Sequence, residues 1–298
     1  MGEKKARKKQ VTVAPRFGSH MSMAGGYHLA VRAAHAVGFA TVQLFTKSNN
    51  QWQAAVLTDR HIADFRAALE ETGVGTPVAH NSYLINLASP DETLWKKSID
   101  AMTVELERAE ALGILDVVAH PGAHTGSGED AGLARVAAGL DEVHRRTKGF
   151  QTKIDLETTA GQGSCLGARF EHLGRIIDLV AEPERLGVCG DTCHLFAAGY
   201  AFGTATEYDE TMGALEAAVG AGRLRVWHLN DSVREQGSRV DRHAGIGRGK
   251  IGIEPFRHLV NDHRWAGVPL VLETPKGIEE GEELDAINLR VLRSLVAG

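Results

Sequence analysis

The sequence predicts a single (β/α)8 barrel, and three observations carry that expectation. Short apolar, β-rich runs alternate with amphipathic stretches along the chain, the pattern that produces parallel strands joined by crossover helices. There are eight such β-then-α units, and no Pro-, Gly- or Ser-rich linker is long enough to separate two domains. Imidazoles and carboxylates gather at the C-terminal ends of the candidate strands, where barrels assemble their chemistry. These features favour a closed barrel over a doubly wound sheet.

In chain order, residues 1–12 come first: Lys4, Lys5, Arg7, Lys8 and Lys9 against Glu3, without periodicity, read as a disordered basic tail ahead of a barrel domain over 13–298. Strands are expected at 16–20, 40–45, 77–81, 117–121, 153–158, 186–191, 224–230 and 269–274. Helices are expected at 26–37, 59–71, 92–112, 129–147, 170–180, 207–219, 255–262 and 283–296. The loop from Asp231 to Gly252 is long for a barrel and follows the seventh strand on the catalytic face, so it should carry function.

Composition is that of a globular protein with a large core, 43% hydrophobic and 24% charged. No apolar run approaches the roughly 20 residues of a membrane helix, and no apolar signal core follows the basic start, so a cytoplasmic protein without a membrane partner is expected, nucleoid-associated if bacterial. Cys165, Cys189 and Cys193 form no CxxC or zinc-finger pattern and read as packing residues in a reducing compartment. The net charge of -5 does not exclude a polyanionic ligand, because divalent cations in the acidic body would offset it.

Of 14 histidines, His28, His35, His61, His144, His172, His258 and His263 lie in or beside predicted helices and are assigned no role. His80, His120, Glu157, Asp191, His228 and Glu273 instead end six different predicted strands, and His194 follows Asp191 by three residues. Each buried charge or imidazole needs a partner, and a shared metal cluster is the simplest one for all of them. Asp241 and His243, held in the Gly- and Arg-rich loop, extend the set to five histidines and four carboxylates. Nitrogen with carboxylate oxygen suits Zn²⁺, with Mn²⁺ or Fe²⁺ as substitutes. At about three to four ligands per ion, the set holds about three ions if one carboxylate bridges. Such a mouth is net positive when loaded and attracts phosphate. Ions ~3.5–4 Å apart suit in-line displacement at phosphorus, so phosphodiester hydrolysis is the expected reaction class.

At these residues the sequence resembles the endonuclease IV (deoxyribonuclease IV) family of apurinic/apyrimidinic endonucleases. The matching runs are Leu44-Phe45-Thr46-Lys47, the eight residues 80–87, His120-Pro121-Gly122, Thr159-Ala160-Gly161-Gln162-Gly163, the ten residues 191–200, His228-Leu229-Asn230-Asp231, the seven residues 237–243, and Leu272-Glu273-Thr274-Pro275. The resemblance covers about residues 16–298. It implies a xylose-isomerase-like TIM barrel that acts as a monomer on duplex DNA containing abasic sites. Cleavage 5′ to the lesion would leave a 3′-hydroxyl and a 5′-deoxyribose phosphate, through a trinuclear zinc centre and a metal-bridging hydroxide.

Carried over by position, the resemblance implies one zinc on His80 and His120, a second on Asp191, His228 and Glu273, and a third on His194, Asp241 and His243, with Glu157 bridging the first two. Glu157 and Glu273 are the implied catalytic carboxylates. Tyr83 and Leu84 would fill the gap left by the flipped-out nucleotide. Asn50, Gln51, Arg239 and Arg242 are further candidate DNA contacts, and Arg248 and Lys250 could bind phosphates. Asp231 reads as an orienting or turn-forming residue. Two departures stand out: Asn50 occupies a position where the family more often has a basic residue, and Thr158 one where it usually has Asn. Two rival readings remain, a metal-dependent sugar isomerase or epimerase on a related barrel and a non-catalytic lesion-binding relative. The third ligand set and the bridging carboxylate argue against both.

Overall fold

The computed structural model describes residues 14–297. The expected basic tail, 1–12, lies outside the described residues. Eight parallel strands close into a barrel: β1 (Arg16–His20), β2 (Thr41–Phe45), β3 (Val78–His80), β4 (Asp116–Ala119), β5 (Lys153–Glu157), β6 (Leu186–Asp191), β7 (Leu224–His228) and β8 (Pro269–Leu272). Each pairs with the next, and β8 returns to β1 with Leu270 opposite Phe17.

Helices α1 (Tyr27–Val37), α2 (Asp59–Thr72), α3 (Glu92–Leu112), α4 (Glu129–Arg146), α5 (Phe170–Leu179), α6 (Thr192–Ala198), α7 (Ala205–Val219), α8 (Glu254–Val260) and α9 (Leu284–Leu295) follow the strands. No described helix is long and apolar enough to cross a membrane.

The barrel and its eight units agree with the sequence reading, and the differences are local. Helix α6 is an addition to the expected elements: Asp191 caps it by accepting the His194 amide at 2.8 Å, and Gly199, left-handed at φ 108°, ends it. Helix α7 begins at Ala205 rather than 207 because Thr204 and Glu207 form a capping box. The long loop after β7 holds a short antiparallel hairpin, Asp231–Ser232 against His243–Ala244. Strand β8 stops at Leu272 because the Asn230 side chain, not a neighbouring strand, accepts the Glu273 amide at 2.9 Å.

Side chains alternate across a strand, so residues two apart share a face. Two positions before His80, His120, Asp191, His228 and Glu273 stand Val78, Val118, Cys189, Val226 and Val271. These five form their own buried cluster inside the barrel, separate from the larger core between barrel and helices. The polar mouth thus rests on a dry apolar layer. Strand β5 breaks the pattern with buried Asp155 two positions before Glu157.

Asp155 is matched by a bulge. Val188 and Cys189 of β6 pair with Leu224 and Val226 of β7, so Arg225 is an extra residue. Its guanidinium pairs with Asp116 and lies 3.7 Å from Asp155. Gly187 leaves the space, since a Cβ there would meet Asp155 Oδ1 at 2.0 Å and Arg225 Cδ at 2.3 Å. Burial and the neighbouring Asp116 push the Asp155 carboxyl well above the usual carboxylate range.

Two stability measurements test this layer and the helical shell. Arg225→Met strands two carboxyls and should cost about 3 kcal/mol or more in urea unfolding, whereas Asp155→Asn should stay within about 1 kcal/mol of wild type. His144 on α4 is buried with neither ring nitrogen hydrogen-bonded, and burial pushes it down to about 4 from 6.5. Acidification therefore protonates the unfolded chain first and favours unfolding. His144→Leu should remove about 2 kcal/mol of the stability that wild type loses between about pH 7 and pH 5.

Candidate metal centre

The C-terminal ends of β3 to β8 converge on one carboxylate, Glu157, which is fully buried at the end of β5. Its Oε2 lies 3.2 Å from His80 Nε2 and 2.9 Å from His120 Nε2. Its Oε1 lies 2.9 Å from His228 Nδ1 and 3.4 Å from His194 Nδ1. Four imidazoles from four segments face one carboxylate.

Glu273 and Asp191 approach the same region through His228 Nδ1, at 3.3 and 3.8 Å. Asp241 joins the remaining pair, with Oδ2 3.2 Å from His194 Nε2 and Oδ1 3.0 Å from His243 Nε2. Five groups among the described residues have ligand atoms within 4.8 Å of one another. Two include a buried cysteine, Cys189 with Glu157 and His228 and Cys193 with Asp191 and His243. The three without one are His80, His120 and Glu157; Glu157, Asp191, His228 and Glu273; and His194, Asp241 and His243. All nine expected ligand positions are in these three groups, with Glu157 shared by two.

The histidines are aimed by their outer nitrogens. His80 Nδ1 faces Asn81 O at 2.8 Å, His194 Nδ1 faces Thr158 O at 2.8 Å and His243 Nδ1 faces Glu273 O at 3.1 Å. A carbonyl accepts only from N–H, so in these three rings Nε2 is the available donor atom. His228 is reversed: Nε2 donates to Gln43 Oε1 at 2.8 Å and leaves Nδ1 toward the carboxylates. Gln43 Nε2 in turn donates to Glu273 Oε1 at 2.6 Å, so one amide orients a histidine and a carboxylate together. Asn230 Nδ2 donates to Asp191 Oδ2 at 2.7 Å. Thr158 Oγ1 accepts the Asp191 amide at 2.9 Å.

The donor chemistry fits divalent cations. His243 Nε2 is buried with no hydrogen bond. Burial opposes protonation of His228 and His243, yet Glu273 and Glu157 for the first, and Asp241 and Asp191 for the second, push both up to about 9. Burial alone would raise Glu157, and the His228 and His120 rings outweigh it and hold the carboxyl well below its usual range. A cation entering these groups displaces protons that otherwise balance the carboxylates. The buried thiols lie close by but stay protonated: burial and Glu157 push Cys189 far up, and burial and Asp191 push Cys193 up to about 12.

Around this mouth, Tyr83 is 61% exposed and stands edge-on to Phe45 and His80, ring centroids 5.5 Å away in each case. It separates a cavity of about 570 Å³ beside His120, His194 and Asp241 from one of about 870 Å³ beside His20, Phe45 and Glu273. Leu84 is half-buried beside it, and Asn50 and Gln51 are exposed between β2 and α2. Arg239 and Arg242 are exposed on the hairpin loop, with no carboxylate partner among the described residues. Arg248 and Lys250 pair with Glu279 at 2.7 Å and Glu235 at 2.9 Å in solvent-exposed ion pairs. Asp231 shapes the turn by accepting the Ser232, Gly249 and Ile251 amides at 2.7, 3.0 and 2.9 Å.

The sequence reading missed His20 and Gln43. His20 ends β1, with Nδ1 3.6 Å from Glu273 Oε1, and the strand-end rule that selected the other ligands also applies to it. Gln43 had a weaker signal, an amide in the middle of an apolar strand.

Clustered imidazole and carboxylate donors that could hold metal ions line the mouth of a TIM barrel, and the xylose isomerase-like TIM barrel family matches residues 31–295. Within that class, a protein of Chloroflexus aurantiacus named "Probable endonuclease 4" is 50% identical over 284 residues, covering 95% of this chain and 99% of the relative. One of the same name from Geobacter sulfurreducens is 47% identical, covering 94% of each chain. The crystal structure of endonuclease IV from Thermus thermophilus superposes with a TM-score of 0.83 at 40% identity, covering 94% of this chain and 98% of that one. The chain belongs to the endonuclease IV family. A D-tagatose 3-epimerase-like protein shares the barrel at 21% identity and a TM-score of 0.72, a likeness of fold alone.

Gln43→Leu should leave the barrel folded while lowering metal affinity about 10- to 100-fold in a chelator competition. Unchanged affinity would show that His228 and Glu273 need no such orientation.

Proposed function

We propose that this chain is a DNA repair endonuclease that hydrolyses the phosphodiester 5′ to abasic sites in duplex DNA, with three zinc ions held by the nine donors. The observation that carries this reading is Glu157, one buried carboxylate shared between two donor groups, beside a third group made by His194, Asp241 and His243. Bound divalent ions would supply charge stabilisation at phosphorus and a nucleophile from water near neutral pH. The products expected are a 3′-hydroxyl and a 5′-deoxyribose phosphate.

The protein's own groups would orient and select. Gln43, Asn230 and the carbonyls behind His80, His194 and His243 hold the donors in place. Exposed Tyr83, with Leu84, would fill the gap in the duplex, and Gln51, Arg239 and Arg242 would track the strands. Asn50 is neutral, and its Oδ1 accepts from Ser48 Oγ at 2.8 Å, so it would contribute no phosphate charge pairing. We assign the chain to act as a monomer.

Metal-loaded protein should nick a duplex carrying one tetrahydrofuran abasic analogue and leave an end that a polymerase extends. An intact strand would overturn the proposal. Glu157→Ala should lower cleavage roughly 10³-fold or more. Asp241→Ala should lower the metal content by about one ion per chain in elemental analysis, and an unchanged content would remove the third site.

A further inference from the structure

Helix α3 carries Ser98, Met102, Glu105 and Arg108 at spacings of three and four, which places them along one face. That face underlies both loops assigned above to DNA contact. Ser98 Oγ accepts the Asn86 amide at 3.0 Å, and Glu105 Oε1 accepts the Ser82 amide at 3.1 Å, just before Tyr83. Glu105 Oε2 accepts from the Thr46 hydroxyl at the end of β2. One turn on, Arg108 donates to Thr46 O at 2.9 Å and to Ala55 O at 2.8 Å.

Lys47 closes the arrangement. Its Nζ lies 3.4 Å from Glu105 Oε1, both side chains are 1% exposed, and it donates to Gln51 O at 2.9 Å. Ser82 Oγ then joins the loops directly by donating to Asn49 O at 2.7 Å. Glu105 therefore receives contacts from the β2 end, the Gln51 loop through Lys47, and the Tyr83 loop.

Burying an ion pair is costly, and an apolar pair of similar volume gives equal or greater stability in many proteins. What the apolar pair cannot do is bind three donors from two loops at once. Neither Lys47 nor Glu105 makes a hydrogen bond or ion pair to any of the nine metal donors among the described residues.

We propose that Lys47 and Glu105 are positioning residues that lock residues 46–57 and 81–88 into one body, so that Gln51 and the Tyr83–Leu84 wedge meet the duplex in a fixed relation. This proposal rests on the DNA reading of those loops. It assigns the pair to substrate capture and not to the metal centre.

The test uses full-length, metal-loaded protein carrying Lys47→Met, which keeps the apolar stem, or Glu105→Gln, which keeps the shape. Lys47→Arg serves as the charge-preserving control. Hydrogen–deuterium exchange should rise about tenfold in residues 48–57 and 82–88 together in both variants, and less in the control. KM for the abasic duplex should rise about tenfold with kcat within about twofold. Metal content and hydrolysis of bis(p-nitrophenyl) phosphate, too small to span the loops, should be unchanged.

Exchange confined to residues 48–57, or unchanged in both loops, would overturn the proposal. So would an unchanged KM in a folded variant, or equal losses on the duplex and the small diester. If Lys47→Met does not fold, Glu105→Gln decides by the same measurements. A wild-type protein that fails to nick the abasic duplex removes the DNA reading, while the exchange data still decide whether the loops move as one.

Discussion

The mouth of this barrel depends on the burial of one carboxylate. Glu157 has no solvent exposure, and an isolated charge there would be prohibitively costly. The fold resolves this by aiming His80, His120, His194 and His228 at its two oxygens, each within 3.4 Å. The other nitrogens of His80, His228 and His194 then need partners, which recruits the Asn81 carbonyl, Gln43 and Asp241, while the Thr158 carbonyl shares His194 Nδ1 with Glu157. A single buried charge thus dictates the ring orientation of four histidines and, through Gln43, the position of Glu273.

Beneath that polar layer the alternation of strand side chains supplies the support. Val78, Val118, Cys189, Val226 and Val271 are dry and close-packed, so strand ends above them have little freedom to shift. Asp155 is the exception, and its accommodation required three further departures: the bulge at Arg225, the missing side chain at Gly187 and the pairing of Arg225 with Asp116. Asp155 thus sets one polar group within the valine layer, opposite Val118, and Arg225 and Asp116 meet it from β7 and β4.

How much of this was legible in the sequence follows from which forces act locally. The eight βα units, six strand-end donors and the Asp241–His243 loop could be read because alternation and periodicity are local signals. His20 was equally local and was passed over. Helix α6 was legible in principle from Asp191 as N-cap and Gly199 as terminator, but seven residues give too short a period to detect. Gln43 and Arg225 were not legible. One is defined by contacts with His228 and Glu273, far away in sequence, and the other by a register shift that exists only when two strands pair. The free or paired state of a loop cation was likewise hidden: Arg248 and Lys250 looked like Arg239 and Arg242 until their carboxylate partners were in place.

The third donor group has a different origin from the other two. Two groups are built wholly from residues at strand ends, and so they come with the closed barrel. His194 instead sits in the first turn of α6, and Asp241 and His243 sit on a hairpin that leaves the barrel after β7. That hairpin is held by Asp231, whose carboxylate gathers three amides, and by Gly249, where a Cβ would meet Ser232 O at 2.3 Å. Asp191 links the two levels: it belongs to the strand-end group, caps α6 through the His194 amide and lies 3.9 Å from His243. The run from β7 into its loop is therefore not one site. His228 serves the barrel, Asp231 shapes the turn, and the hairpin brings Asp241 and His243 to a ring that Asp191 has already placed.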